Sequence, residues 1–144
     1  MTQQDTRLKL ADFAGTWTIR REIRDFRAGS TLRFDGVAKF AGETAALVYV
    51  ETGRVHLPDG HVLAASRRYL WRAVAAGIAV QFENGRPFHS FSLAGSRATA
   101  THHCDPDTYD VAYDFSQWPL WRATWRVSGP RKHYEMVSDY SFSG

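Results

Sequence analysis

Apolar and polar residues alternate one for one along most of this chain, and that alternation limits the fold more than any other feature. The run Trp121-Arg122-Ala123-Thr124-Trp125-Arg126-Val127-Ser128 shows it plainly, with Trp, Ala, Trp and Val on one face and Arg, Thr, Arg and Ser on the other. A period of two is the repeat of an extended strand with one face buried; a helix would repeat every 3.6 residues. Helical patterning is confined to the segment from Leu8 to Phe13, enough for a short turn ahead of the first strand.

The predicted strands run from Thr16 to Arg24, Thr31 to Ala41, Thr44 to Leu57 with a bulge near Gly53, and His61 to Ala73. They continue from Ile78 to Glu83, Phe88 to Leu93, Arg97 to His103, Tyr109 to Phe115, Trp121 to Ser128 and His133 to Phe142. Turn chemistry separates them. Pro58-Asp59-Gly60 presets one backbone angle and frees another, and Asn84-Gly85 and Gly129-Pro130 punctuate the later strands. Short connections make neighbouring strands antiparallel. An open sheet of about ten strands would expose two long edges, and closure removes them. The expectation is an all-β fold: residues 1–144 as a single domain, an antiparallel up-and-down closed β-barrel with a short N-terminal helical plug. A two-sheet sandwich is the alternative.

A chain of 144 residues can bury a core without covalent staples, and its single cysteine, Cys104, excludes an internal disulfide. The segment from Met1 to Leu10 is polar and charged, unlike a signal peptide, and no apolar run reaches membrane-spanning length. These features lead to an expectation of a cytoplasmic protein with no membrane partner. Net charge is +3, from 15 arginines and 3 lysines against 15 acidic residues. The arginines are scattered from Arg7 to Arg131 with acids between them, which describes a solvated surface and not a nucleic-acid face. A homodimer is compatible with the sequence.

Strand phase assigns the interior. One face of the first strand carries Trp17, Ile19, Arg21 and Ile23, and the second carries Leu32, Phe34, Gly36, Ala38 and Phe40. The third is apolar on both faces, and Glu51 turns inward if its phase follows Leu47 and Tyr49. The later strands direct Arg67, Tyr69 and Trp71 inward, then His89 with Phe91, His102, Tyr113 and Trp125, and finally Tyr134 with Met136. The polar minority is the informative part. A buried arginine needs a partner, because an isolated buried charge costs several kcal/mol or more. Few acids share the inward phase, and a guanidinium fork suits a carboxylate or phosphate. Arg21, Arg67, Tyr69, Trp71, His89, His102, Tyr113, Trp125 and Tyr134 are therefore the candidate ligand-binding residues, for a small amphipathic molecule with an anionic head.

Other chemistries have weaker support. His102-His103-Cys104-Asp105-Pro106-Asp107 is metal-like in composition, but consecutive histidines on a strand face opposite ways, and no second Cys/His cluster exists. No metal site is expected. Cys104 shares a face with His102 but has no other sign of a nucleophile. Phosphate-loop, nucleophile-elbow and dinucleotide motifs are absent.

The residues Phe13-Ala14-Gly15-Thr16-Trp17 form an F-x-G-x-W pattern that resembles the opening of the calycin superfamily, which includes lipocalins, fatty-acid-binding proteins and nitrobindin-like haem barrels. The resemblance implies that Trp17 sits at the closed end of a barrel beneath the N-terminal plug. Longer stretches are similar to an uncharacterised bacterial lipocalin-like family of unknown function. They are Arg67-Arg68-Tyr69-Leu70-Trp71-Arg72, Phe82-Glu83-Asn84-Gly85-Arg86-Pro87-Phe88-His89, His103-Cys104-Asp105-Pro106-Asp107-Thr108-Tyr109 and Trp125-Arg126-Val127-Ser128-Gly129-Pro130-Arg131-Lys132. There are departures from the better-known members. The segment from Asp25 to Ser30 leaves no room for the helical lid of fatty-acid-binding proteins, the sequence ends in strand pattern where lipocalins carry a helix, and no arginine near Tyr140 or Phe142 matches the lipocalin arginine over the tryptophan. The nitrobindin-like likeness makes haem an alternative, with His89, His102 or His133 as iron ligand; otherwise no cofactor is expected. The leading expectation is a small-molecule binding barrel. The alternatives are an enzyme using histidine acid–base chemistry, a haem barrel, and a barrel filled by its own side chains that serves as a structural or interaction protein.

Overall fold

The structure is a computed structural model describing residues 7–144, so the first part of the polar Met1 to Leu10 segment lies outside the described residues. A single 3₁₀ turn, Leu10–Phe13, precedes ten strands. These are β1 (Gly15–Asp25), β2 (Ser30–Glu43), β3 (Ala46–His56), β4 (Val62–Val74) and β5 (Gly77–Phe82), followed by β6 (Pro87–Ser92), β7 (Arg97–Cys104), β8 (Asp107–Gln117), β9 (Leu120–Ser128) and β10 (His133–Phe142). All ten lie in one antiparallel sheet, in the order β6-β5-β4-β3-β2-β1-β10-β9-β8-β7. The sheet curls until its edge strands β6 and β7 lie side by side. Among the described residues no ladder joins those two edges, so the barrel is closed by hydrogen bonds everywhere except at this seam.

Side chains seal the seam. Phe88 of β6 packs edge-on against His102 of β7 and Tyr109 of β8, with ring centroids 5.2 and 5.8 Å apart. Phe91 stacks on Tyr113 at 4.1 Å. The edges themselves are short, at six and eight residues, and β6 begins with Pro87, which has no amide to offer an intruding strand.

Most of the predicted interior is observed, although Cys104, in phase with His102, is exposed. Trp17, Ile19, Phe34, Ala38, Phe40, Leu47, Tyr49, Trp71, Val111, Tyr113, Trp121 and Tyr140 are all buried. Two local expectations need correction. No bulge occurs at Gly53: the ladders of β3 with β2 and β4 run through it without a shift. Gly53 instead faces Gly36 across the ladder, and a Cβ on Gly53 or Gly36 would come within 2.6 or 2.8 Å of the Phe34 ring. The glycines make room for that ring. Register shifts lie instead between Asp114 and Gln117 and between Val80 and Gln81; the second, opposite β6, turns both Phe88 and His89 inward, where strict alternation would bury only one.

One end of the barrel is closed by the 3₁₀ turn. Its Phe13 is fully buried, with its ring 5.0 to 5.9 Å from those of Phe40, Trp71, Phe115, Trp118 and Trp121. The Trp17 indole Nε1 donates to the Phe13 carbonyl at 2.8 Å, which ties the plug to β1. The plug is shorter than the predicted Leu8 to Phe13 segment because only Leu10 and Phe13 are deeply buried, with Leu8 packed at the margin. The opposite end carries the loops after β1, β3, β5, β7 and β9 and is the mouth.

Candidate functional site

Side chains from three strands form a buried polar group at mid-height. Arg21 is directly opposite Ser138 on β10, and Glu51 of β3 lies two strands away. The intervening strand, β2, contributes Gly36 and Ala38 to its inner face, so nothing bulky separates the two charges. The Arg21 guanidinium donates to both Glu51 oxygens, at 2.6 and 2.9 Å, and its Nε donates to Ser138 Oγ at 2.6 Å. The Tyr49 hydroxyl donates to Glu51 Oε1 at 2.5 Å. With that proton committed, the 2.8 Å contact between Tyr49 and Tyr140 has Tyr140 as donor. Tyr140 also stacks flat on Trp121 at 3.7 Å.

Electrostatics follow from this packing. Burial disfavours the Arg21 charge, but the hydrogen bonds and charge of Glu51 more than offset it and hold the guanidinium protonated. Burial likewise pushes the Glu51 carboxyl up, and Arg21 brings it below the usual carboxylate range. Burial raises the phenols of Tyr49 and Tyr113 well above 10 and that of Tyr140 to about 12, so all three are neutral at pH 7. His89 shares a 2.7 Å hydrogen bond between Nε2 and the Tyr113 hydroxyl. Burial, with a smaller contribution from His102, depresses it to about 4. A neutral imidazole of that basicity is a poor general base near pH 7, which weakens the acid–base enzyme alternative.

Seven of the nine candidate residues surround one small cavity: Arg21, Arg67, Tyr69, Trp71, His89, Tyr113 and Trp125 all line it. Its volume is about 20 Å³, room for one water-sized particle. Trp71 and Tyr113 are already packed into the wall, and Arg21 already has its carboxylate. The anion that phase analysis left open for Arg21 is therefore Glu51, whose inward phase with Tyr49 was the signal. A haem macrocycle does not fit a lumen packed in this way, and the Nε2 of His89 is engaged by Tyr113.

The remaining candidates lie toward the mouth. His102 is half-buried against Phe82 and Phe88, and Tyr134 is half-buried on β10. Arg67 is the exception among the inward charges. It is half-buried, its guanidinium carbon lies 5.7 Å from the Trp125 ring centroid, and its side-chain partners are Met136 Sδ at 3.9 Å and the Tyr69 hydroxyl. Among the described residues no carboxylate comes within ion-pair distance of it. Above it, Leu63 holds the inward phase of β4 yet is 54% exposed, with half-buried Val55 opposite. Alternation did not mark Leu63 as a rim residue, because it reads there as core.

Elsewhere the surface charges pair with each other, as in Arg122–Asp139 and Arg126–Glu135 at 2.7 Å. Cys104 is exposed. Among the described residues, no group of three or more His, Cys, Asp or Glu side chains is placed to hold a metal, and no helix is long and apolar enough to cross a membrane.

Residues 13–142 match the model of a "Family of unknown function (DUF6314)", and the chain belongs to that family. No curated protein matches. Among solved structures, the chain is similar to the S-type phycobiliprotein lyase CPES from Guillardia theta. The TM-score is 0.69 at 10% identity, covering 96% of this chain and 94% of the lyase. That likeness establishes the barrel fold.

Proposed function

We propose that this member of DUF6314 is a small-molecule binding protein that takes an amphipathic anion at the mouth of its barrel, with Arg67 as the contact for the anionic head. The carrying observation is Arg67 itself: a half-buried guanidinium with five N–H donors, held over an indole, whose side-chain partners are a thioether and the Tyr69 hydroxyl and no carboxylate at ion-pair distance. A cation placed so has donors left over for an anion. Leu63, Val55 and the half-buried Leu32 give an apolar body somewhere to rest, and His102 and Tyr134 supply polar edges. The fold shared with a phycobiliprotein lyase is compatible with a barrel built round a guest.

Intrinsic tryptophan fluorescence during titration with dodecanoate, against dodecanol as the uncharged control, tests the reading. Dodecanoate should bind and dodecanol should bind at least about tenfold more weakly, since a hydrogen bond to a charged group is worth about 1.5–3 kcal/mol. Arg67→Met should abolish that difference. Equal binding of acid and alcohol by the native protein would refute it. The filled lumen supports a second reading, a barrel serving as a structural or interaction protein, and it is the one selected if neither compound binds.

A further inference from the structure

The chamber beneath Arg67 has an unbalanced charge. Its lining includes Arg21 and Arg67, each positive, and Glu51, negative, while His89 and the tyrosines are neutral at pH 7. Two positive charges and one negative leave a net +1 around a space of about 20 Å³. The same wall holds two buried nitrogens without hydrogen-bond partners, His89 Nδ1 and Trp121 Nε1. These residues are only 7% and 3% exposed, so bulk water does not satisfy them. Buried polar groups are nearly always paired, and orphans in a native fold point to a missing partner.

From this we infer that the chamber is a binding site for one negatively charged atom, either a halide or a single oxygen of a carboxylate. Arg67 supplies the charge, Trp121 an N–H, and His89 a second N–H. The occupant selects the His89 tautomer: Tyr113 donates to Nε2, and the proton sits on Nδ1. Water would satisfy the two nitrogens; an anion would in addition meet the charge of the half-buried Arg67. Glu51 does not repel the guest, because both its oxygens are engaged by Arg21 and one also by Tyr49. The volume suits one atom of about water size. This extends the Arg67 reading inward, since the oxygen of a ligand bound at the mouth would reach the same place as a free halide.

Chlorine-35 NMR on the full chain separates the two ideas. Chloride should show protein-dependent line broadening that bromide displaces and gluconate, at the same ionic strength, does not. Arg67→Met should remove the excess linewidth. Trp121→Phe, which keeps a ring in place and deletes one N–H, should weaken chloride about tenfold, and serves if the arginine variant does not fold. Dodecanoate should displace chloride. Excess broadening with no response to dodecanoate leaves the halide site standing and removes the carboxylate reading. Dodecanoate binding without any chloride broadening or competition overturns the chamber site and leaves the mouth reading intact. Broadening that persists in both Arg67→Met and Trp121→Phe also overturns it, because the chloride is then elsewhere.

Discussion

Glu51→Gln tests the buried charge network most directly. The substitution keeps the shape of the side chain and removes its charge, leaving the Arg21 guanidinium 6% exposed with no counter-ion within its reach. Breaking a buried pair from one side costs about 3–5 kcal/mol, chiefly as the penalty for the stranded charge. At roughly 2.1 cal/mol/K per residue, 144 residues give an unfolding entropy near 0.3 kcal/mol/K, so the melting temperature should fall by about 10–15 °C. Arg21→Met paired with Glu51→Leu should recover most of the loss, to within about 2 kcal/mol of the native protein, because neither charge then needs solvation. The residual reflects Ser138 and Tyr49, which lose their partners. Chemical denaturation of all four members of the cycle supplies the coupling energy. A cost below about 1 kcal/mol for Glu51→Gln, or a double variant no more stable than that single variant, would show that the pair is hydrated in solution and that the described burial is wrong.

Four further outcomes follow from the same structure. Acid should destabilise the protein through His89. Its folded value of about 4 lies below the unfolded value near 6.5, so its contribution is intact above pH 6.5 and is lost as pH falls toward 4. That window is worth about 3 kcal/mol, and His89→Phe should flatten it in melts taken across the range; an unchanged slope would contradict the burial of a neutral imidazole. Gly53→Ala should cost about 1–3 kcal/mol by denaturant titration, since the new methyl meets the Phe34 ring and the Gly36 backbone, whereas a bulge at this position would accept it. Trp17→Phe should lose about 2 kcal/mol by stranding the Phe13 carbonyl, with hydrogen exchange rising in the plug. Asp139→Asn at the exposed Arg122 pair should change stability by less than about 1 kcal/mol.

The readable and unreadable parts of this protein divide on physical grounds. Which face of a strand is buried is a local property, so alternation placed Trp17, Arg21, Arg67, His89 and Tyr140 on the inner face. Pairing between residues 30 apart is not local, and the link from Arg21 to Glu51 needs the register of three strands to be known together. Gly53 was legible as unusual but not as to why, because a glycine that relieves a ring and one that forms a bulge look alike in one dimension. Whether a lumen is open depends on summed side-chain volumes at facing positions. Twenty aromatic residues hinted at filling without locating the remaining space. Arg67 and Arg21 were equivalent by phase, and only the acid inventory in three dimensions separates the paired one from the unpaired one.

The seam between β6 and β7 also bears on how the chain is threaded. It lies within the sequence, at residues 93–96, while the ladder that joins distant segments is β1 with β10, where the Thr16 amide meets the Gly144 carbonyl at 3.1 Å. Joining the two termini and cutting at 93–96 would give a circular permutant running from β7 through β10 and β1 to β6, in which every ladder connects consecutive strands. Such a chain keeps every hydrogen bond of the sheet while its mean contact separation falls, and topology of that kind folds faster at similar stability. The protein as threaded thus carries its hardest pairing between its first and last strands and its loosest boundary where its chain is continuous.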